Sequence, residues 1–95
     1  MKNQEIARIL YQIADLLEIK GVEFKPRAYR KAAQNIEGLS VDIEDLYREG
    51  KLESIPGVGK NIAKKIEEYI KTGRVKKLEE LKEEIPVDIE SLMEV

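Results

Sequence analysis

Apolar residues recur along this chain at spacings of three and four, and no stretch alternates in the strict manner of a strand. Ile6, Ile9, Leu10, Ile13, Leu16 and Leu17 mark one face of a first helix, with Asn3 as its N-cap and Lys20-Gly21 as its end. A second helix opens with Pro26 at its first position, turns Ala28, Tyr29, Ala32, Ala33 and Ile36 inward, and stops at Gly38. Leu39 and Ser40 read as staple residue and N-cap of a short helix carrying Ile43, Leu46 and Tyr47, which ends at Gly50. Lys51 to Ser54 add one further turn. A helix from Lys60 to Lys71 buries Ile62, Ala63, Ile66, Tyr69 and Ile70 and is closed by Thr72-Gly73. Another runs from about Arg74 to Glu84 on Val75, Leu78 and Leu81, and a last short one from about Asp88 uses Ile89 and Leu92. The pattern predicts an all-α fold: one compact bundle of five to six short helices, spanning residues 1–95 as a single domain.

The sharpest local signal is Ile55-Pro56-Gly57-Val58-Gly59-Lys60-Asn61-Ile62-Ala63-Lys64-Lys65-Ile66. An apolar-Pro lead-in meets a Gly-Val-Gly turn that opens straight into an amphipathic helix. The two glycines allow positive φ and let a ligand approach with no Cβ in its way. The helix start presents unpaired N–H groups and the positive end of its dipole at the same point, a device that holds a phosphate. The segment resembles a helix-hairpin-helix motif, a sequence-independent grip on a nucleic-acid backbone. Contacts are expected from the backbone around Gly57, Val58, Gly59 and Lys60, with Asn61 and Lys64 close behind. Nothing in the segment reads base edges, so no sequence specificity is expected.

The composition narrows the chemistry. The chain has no cysteine and no histidine, which removes disulfides, Cys/His zinc sites and every Ser-His or Cys-His nucleophile system. No apolar run approaches the roughly 20 residues of a membrane span, and no membrane partner is expected. The formal net charge is −2, but it is unevenly distributed. Lys25, Arg27, Arg30 and Lys31 stand together with no acid among them. Lys60, Lys64, Lys65, Lys71, Arg74, Lys76 and Lys77 face only Glu67 and Glu68, whereas residues 79–95 are strongly acidic. A basic face on an acidic protein follows from that division.

Within the basic face, Lys65 shares a row with Asn61 and Glu68 beside the buried Ile62/Ile66 stripe, while Lys60, Lys64 and Lys71 take the more exposed side. Lysines on such a face ordinarily meet solvent or phosphate. A lysine can also serve as an amine nucleophile, since crowding by other cations favours the neutral form, and a neutral amine attacks a sugar aldehyde to give a Schiff base. Lys25 and Tyr29, four apart, share a face at the start of the second helix, with Lys25 held off the helix body by Pro26. Phe24 beside them can stack on an unpaired base. Tyr29 reads equally as a core aromatic with its hydroxyl at the surface.

Tyr29-Arg30-Lys31-Ala32-Ala33, Ile55-Pro56-Gly57-Val58-Gly59, Ile62-Ala63-Lys64-Lys65-Ile66 and Thr72-Gly73-Arg74-Val75-Lys76-Lys77-Leu78-Glu79 follow one another in that order. Together they resemble the amino-terminal lyase domain of family X DNA polymerases, the DNA polymerase beta group, and most closely its microbial branch. The resemblance implies binding of the 5′-phosphate side of gapped or nicked DNA in base excision repair. It also implies removal of 5′-deoxyribose phosphate by β-elimination through a Schiff base. It carries the nucleophile onto Lys65, the assisting tyrosine onto Tyr29 and the phosphate-holding lysines onto Lys25 and Lys77. It carries a monovalent cation (Na+ or K+) onto backbone carbonyls of Glu53, Ile55 and Val58, and it implies no cofactor for the lyase step. Asn61 stands where the family has a further pocket lysine, Phe24 where its animal members have a template-stacking histidine, and Lys64 where they have an acid.

Ser91-Leu92-Met93-Glu94-Val95 echoes Leu52-Glu53-Ser54-Ile55, the lead-in to the hairpin. On that echo the chain is expected to be the amino-terminal piece of a larger DNA-directed DNA polymerase, monomeric and in a prokaryotic cytoplasm. Two other readings stand beside the lyase: a noncatalytic DNA-binding module with the same contacts, and a helical protein-interaction adaptor working through residues 79–95.

Overall fold

The recurrence of Ile6, Leu10, Ile13 and Leu17 becomes helix α1, Asn3–Ile19, in a computed structural model that describes residues 1–85. It is followed by α2 (Lys25–Glu37), α3 (Ile43–Arg48), a single 3-10 turn (Leu52–Ser54), α4 (Lys60–Thr72) and α5 (Lys76–Glu84). Among the described residues the fold is wholly helical, as the periodicity predicts. The terminal helix expected from Asp88 lies outside the described residues.

The core is built on the pairing of α1 with α2. Ala7 and Ala14 on α1 and Ala32 and Ala33 on α2 are all buried, and such small side chains let two helix backbones approach closely. Ile6, Leu10, Ile13 and Ile36 fill the space around them. At about 25 cal/mol per Å² of apolar surface removed from water, such burial supplies most of the driving force for the fold. Ala28, expected to point inward, is exposed instead, because it falls between the Tyr29/Ala32/Ala33/Ile36 stripe and solvent. Across α1 lies α5, which buries Leu78 and Leu81 and ends in a Lys20–Glu84 ion pair. A hydrogen bond from the Tyr69 hydroxyl to Glu5, 3.0 Å, ties α4 to the first turn of α1.

Two capping expectations are corrected. Asn3 is the first residue of α1 rather than its cap, and its side chain is only 3% exposed. Its amide donates to the Val41 carbonyl at 2.7 Å and its carbonyl oxygen accepts from the Ile43 N–H at 2.9 Å. The buried Asn3 therefore clasps the α2–α3 connection to α1, a use of an amide that sequence spacing alone does not distinguish from capping. The cap of α3 is Asp42, whose carboxylate accepts from the Glu44 N–H at 3.0 Å, and not Ser40, which lies two residues too early. No helix among the described residues is long and apolar enough to cross a membrane.

Replacing Asn3 by Ala strands the buried Ile43 N–H and frees the part-buried Val41 carbonyl. Chemical denaturation of Asn3→Ala is expected to show a loss of about 2 kcal/mol, with helix content retained in the native baseline.

Candidate nucleic-acid interface

Leu52, Ile55 and Val58 are buried, so the chain between the 3-10 turn and α4 is anchored by three apolar side chains facing the core. Between the last two the backbone must reverse. The Val58 N–H donates to the Ile55 carbonyl at 3.0 Å, Pro56 occupies the second position, and Gly57 takes φ +87° at the third. Those are the requirements of a type II turn, which only glycine meets without strain. A second reason fixes Gly57: a Cβ there would lie 3.3 Å from the Ala32 nitrogen and 3.3 Å from Lys31 Cγ. The hairpin thus rests directly on α2. Asn35, one turn further along α2, donates to the Pro56 carbonyl at 2.6 Å and pins the turn from the same side.

Gly59 differs from the expectation that both glycines use positive φ. Its φ is −96° and its ψ −171°, an extended conformation open to any residue, and a Cβ there would meet nothing within 4 Å. Its value lies in the empty space above it, at the start of α4. No side chain caps that helix. The first backbone bond into it is Ala63 N–H to the Gly59 carbonyl at 2.9 Å. Among the described residues the N–H groups of Gly59, Lys60, Asn61 and Ile62 have no acceptor. Four donors at the positive end of a thirteen-residue helix form a seat for an anion.

Side chains sort themselves around that seat by their ion pairs. Arg30 is held by Asp15 and Glu18 on α1, Lys71 pairs with Glu67 at 3.7 Å, and Arg74 makes two 2.7 Å bonds to Glu79. These cations from the basic stretches are therefore committed inside the protein. Lys25, Lys31, Lys60, Lys64, Lys65 and Lys77 have no carboxylate within ion-pair distance among the described residues. Lys60 and Lys64 are exposed on the outer side of α4, whereas Lys65 is half-buried, as the helical spacing predicts.

On the inner side of α4, Lys65 Nζ sits 5.9 Å from the centroid of the Tyr29 ring, a cation–π contact. Tyr29 is 7% exposed, and burial pushes its phenol up from the ordinary range while the nearby Lys77 charge pulls it the other way. Tyr29 is at once a core aromatic and the partner of a lysine from another helix. Of the residues named from the sequence, Tyr29 of α2 and Lys65 of α4 come into contact, and Lys77 of α5 lies near enough for its charge to act on the phenol.

The position of Lys77 depends on a residue that sequence reading missed in this role. Val75 precedes α5 and has no side chain able to cap it, and Glu68 of α4 supplies the cap instead by accepting from the Lys76 N–H at 2.9 Å. The link between α4 and α5 is tightened further by Gly73 at φ +76° and by Thr72 Oγ1, which accepts from the Arg74 N–H at 3.1 Å. No spacing rule would have found Glu68, because the cap lies eight residues away along the chain.

At the start of α2 the chain departs from expectation. The helix begins at Lys25 itself, so Lys25 lies in its first turn rather than off its body. The bend is taken by Phe24, with φ 70° and ψ −46° and a 2.8 Å bond from the Lys25 N–H to the Glu23 carbonyl across it. That is a γ-turn on the disfavoured side of φ, a conformation that costs roughly 1–3 kcal/mol for a residue with a Cβ. The strained Phe24 is 85% exposed.

The hairpin also presents oxygens. The carbonyls of Glu53 and Val58 accept no hydrogen bond among the described residues, and that of Ile55 accepts one. Neutral backbone oxygens suit a hard, singly charged cation. No cluster of His, Cys, Asp or Glu side chains able to hold a metal ion occurs among the described residues.

Compared with known protein families, residues 1–75 match the model described as a helix-hairpin-helix domain. The match takes in α1 to α4, the hairpin and the Tyr29–Lys65 contact, and it stops just before Lys77.

The two hairpin glycines are expected to separate on substitution. Gly57→Ala should lose about 2 kcal/mol in thermal or chemical denaturation, from its positive φ and its contact with α2. Gly59→Ala should stay within about 0.5 kcal/mol of the parent and weaken only what binds above it.

Proposed function

This chain belongs to the helix-hairpin-helix domain family, a DNA-binding fold, and from that premise we propose that it grips gapped or nicked DNA at a 5′-phosphate. The observation that carries the reading is the uncapped start of α4 above a glycine with open space, flanked by unpaired lysines. The N–H groups of Gly59, Lys60 and Asn61 meet a phosphate, and Lys60 and Lys64 supply salt-dependent attraction. Lys25 and Lys77 hold the terminal phosphate on the inner side, beside Tyr29. Phe24 offers an exposed ring for stacking on an unpaired base. A Na+ or K+ ion would be held by the carbonyls of Glu53, Ile55 and Val58, where it would add positive charge next to the DNA backbone.

The same arrangement supports the lyase chemistry that resemblance to family X polymerases implies, within base excision repair by a larger polymerase. Lys65 is half-buried with its amine over the Tyr29 ring, which restricts where that amine points. In its neutral form that amine attacks C1′ of the open-chain deoxyribose, and water leaves as the C=N bond forms. Loss of a C2′ proton to water then expels the 3′ oxygen, leaving a 5′-phosphate on the DNA. Hydrolysis of the resulting imine returns the amine. Tyr29 keeps the amine in position through its ring, and Lys77 neutralises the phosphate.

Two measurements test the proposal. Retention on 5′-phosphorylated gapped DNA should fall about a hundredfold between about 50 and about 200 mM salt, as neutralising roughly four phosphates requires. A salt-independent or absent interaction would instead favour the helical adaptor. Borohydride trapping on DNA bearing a 5′-deoxyribose phosphate should give a covalent adduct that Lys65→Ala abolishes. Gapped DNA bound without any adduct would make the domain a noncatalytic module with the same contacts.

A further inference from the structure

On the side of α4 away from Tyr29, the chain leaves a notch of about 360 Å³ between α3, the 3-10 turn and α4. We propose that this notch seats a single unpaired nucleotide of the DNA strand held by the hairpin. The inference rests on the DNA-binding reading above and extends it to a site that no feature of the hairpin motif specifies.

The chemistry of the walls carries it. Tyr47, Leu52 and Ala63 give an aromatic and apolar floor, and Gly50 leaves one wall without a side chain. Lys60 and Lys64 stand on one rim, one turn apart on α4, and neither has a carboxylate partner among the described residues. Glu53 also lines the notch, with no cation partner among the described residues, so its carboxylate can accept from a ring N–H or an exocyclic amino group of a base. Glu67, the other acid of the notch, is already committed to Lys71 at 3.7 Å. A flat apolar floor with a cationic rim and one acceptor suits a nucleotide, whose base is apolar on its faces and polar at its edge and whose phosphate is anionic.

Size and position agree with that occupant. The notch is at the small end of the roughly 300–1,000 Å³ typical of small-molecule sites, enough for one nucleotide and too little for a helix. Lys60 belongs both to this rim and to the first turn of α4, whose N–H groups are the proposed phosphate seat. Lys60 therefore joins the seat to the notch. The hairpin thus has a flank on each side: Lys65 with Tyr29 towards the 5′ terminus, and Tyr47 with Lys60 and Lys64 towards unpaired strand.

The test compares two duplexes that differ only in unpaired nucleotides: one with a gap of five thymines, one nicked, both carrying a 5′-phosphate. Tyr47→Leu, which keeps apolar bulk and removes the ring, is expected to weaken binding to the gapped duplex about fivefold or more and to leave the nicked duplex unchanged. Equal effects on both duplexes, or none on either, overturn the notch proposal while leaving the hairpin reading intact. Failure of the parent protein to bind either duplex overturns the hairpin reading itself. Because Tyr47 also packs on the core, a second measurement uses the unsubstituted chain. With 5-iodouracil in the gap, irradiation should cross-link to the peptide containing Tyr47, and cross-links confined to peptides outside α3 and the first turns of α4 would exclude it.

Discussion

The contact on which the candidate site depends is the seating of the hairpin on α2. Gly57 lies so close to α2 that a single extra carbon would press on the Ala32 backbone at 3.3 Å, and Asn35 bonds the adjoining Pro56 carbonyl. Leu52, Ile55 and Val58 hold the same segment from below. Since α2 is fixed by its alanines against α1, the position of the first turn of α4 is set by the core and not by loop chemistry. The donors at that turn are therefore rigidly aimed before any ligand arrives. Preorganisation of this kind is where affinity is gained, because little remains to be ordered on binding.

Electrostatics in this chain are a matter of subtraction. A protein of net charge −2 has no evident claim on a polyanion, and its basic stretches contain both committed and uncommitted cations. Arg30 and Arg74, the most strongly hydrogen-bonding of them, are spent on carboxylates of their own chain. Those left over in these stretches, among the described residues, are Arg27 and the lysines of α2, α4 and α5 other than Lys71. Lysine is a compact, flexible charge that suits a sequence-independent backbone grip, whereas arginine would bring fork geometry that such a grip does not use.

Much of this was legible in the order of residues. The helices of the described residues follow from apolar spacing, and the hairpin from Pro-Gly-Val-Gly ahead of a helix. The convergence of Tyr29 and Lys65 was foreseen only through resemblance, since one lies on α2 and the other on α4. What remained hidden was every role that depends on distance along the chain. Asn3 looks like a cap until Val41 and Ile43 are seen beside it, and Glu68 looks like a solvated acid until α5 begins against it. The difference between Gly57 and Gly59 was hidden for another reason: two identical residues two apart carry no sign of which one touches α2. The position of Phe24 suits a stacking residue, but its strained turn is a property of the backbone that sequence does not announce.

The anion seat at α4 is made of main-chain N–H groups, and every residue except proline carries one. Side-chain scanning would therefore leave its donors untouched, and a series of alanine variants across Gly59 to Ile62 would report only the lysines and the space around them. Chemistry that alters the peptide link itself, such as an ester in place of a single amide between Gly59 and Asn61, removes one donor and nothing else. It follows that substitutions which keep the backbone path of this turn leave its N–H donors in place, so that the donor array is inherited through the shape of the backbone.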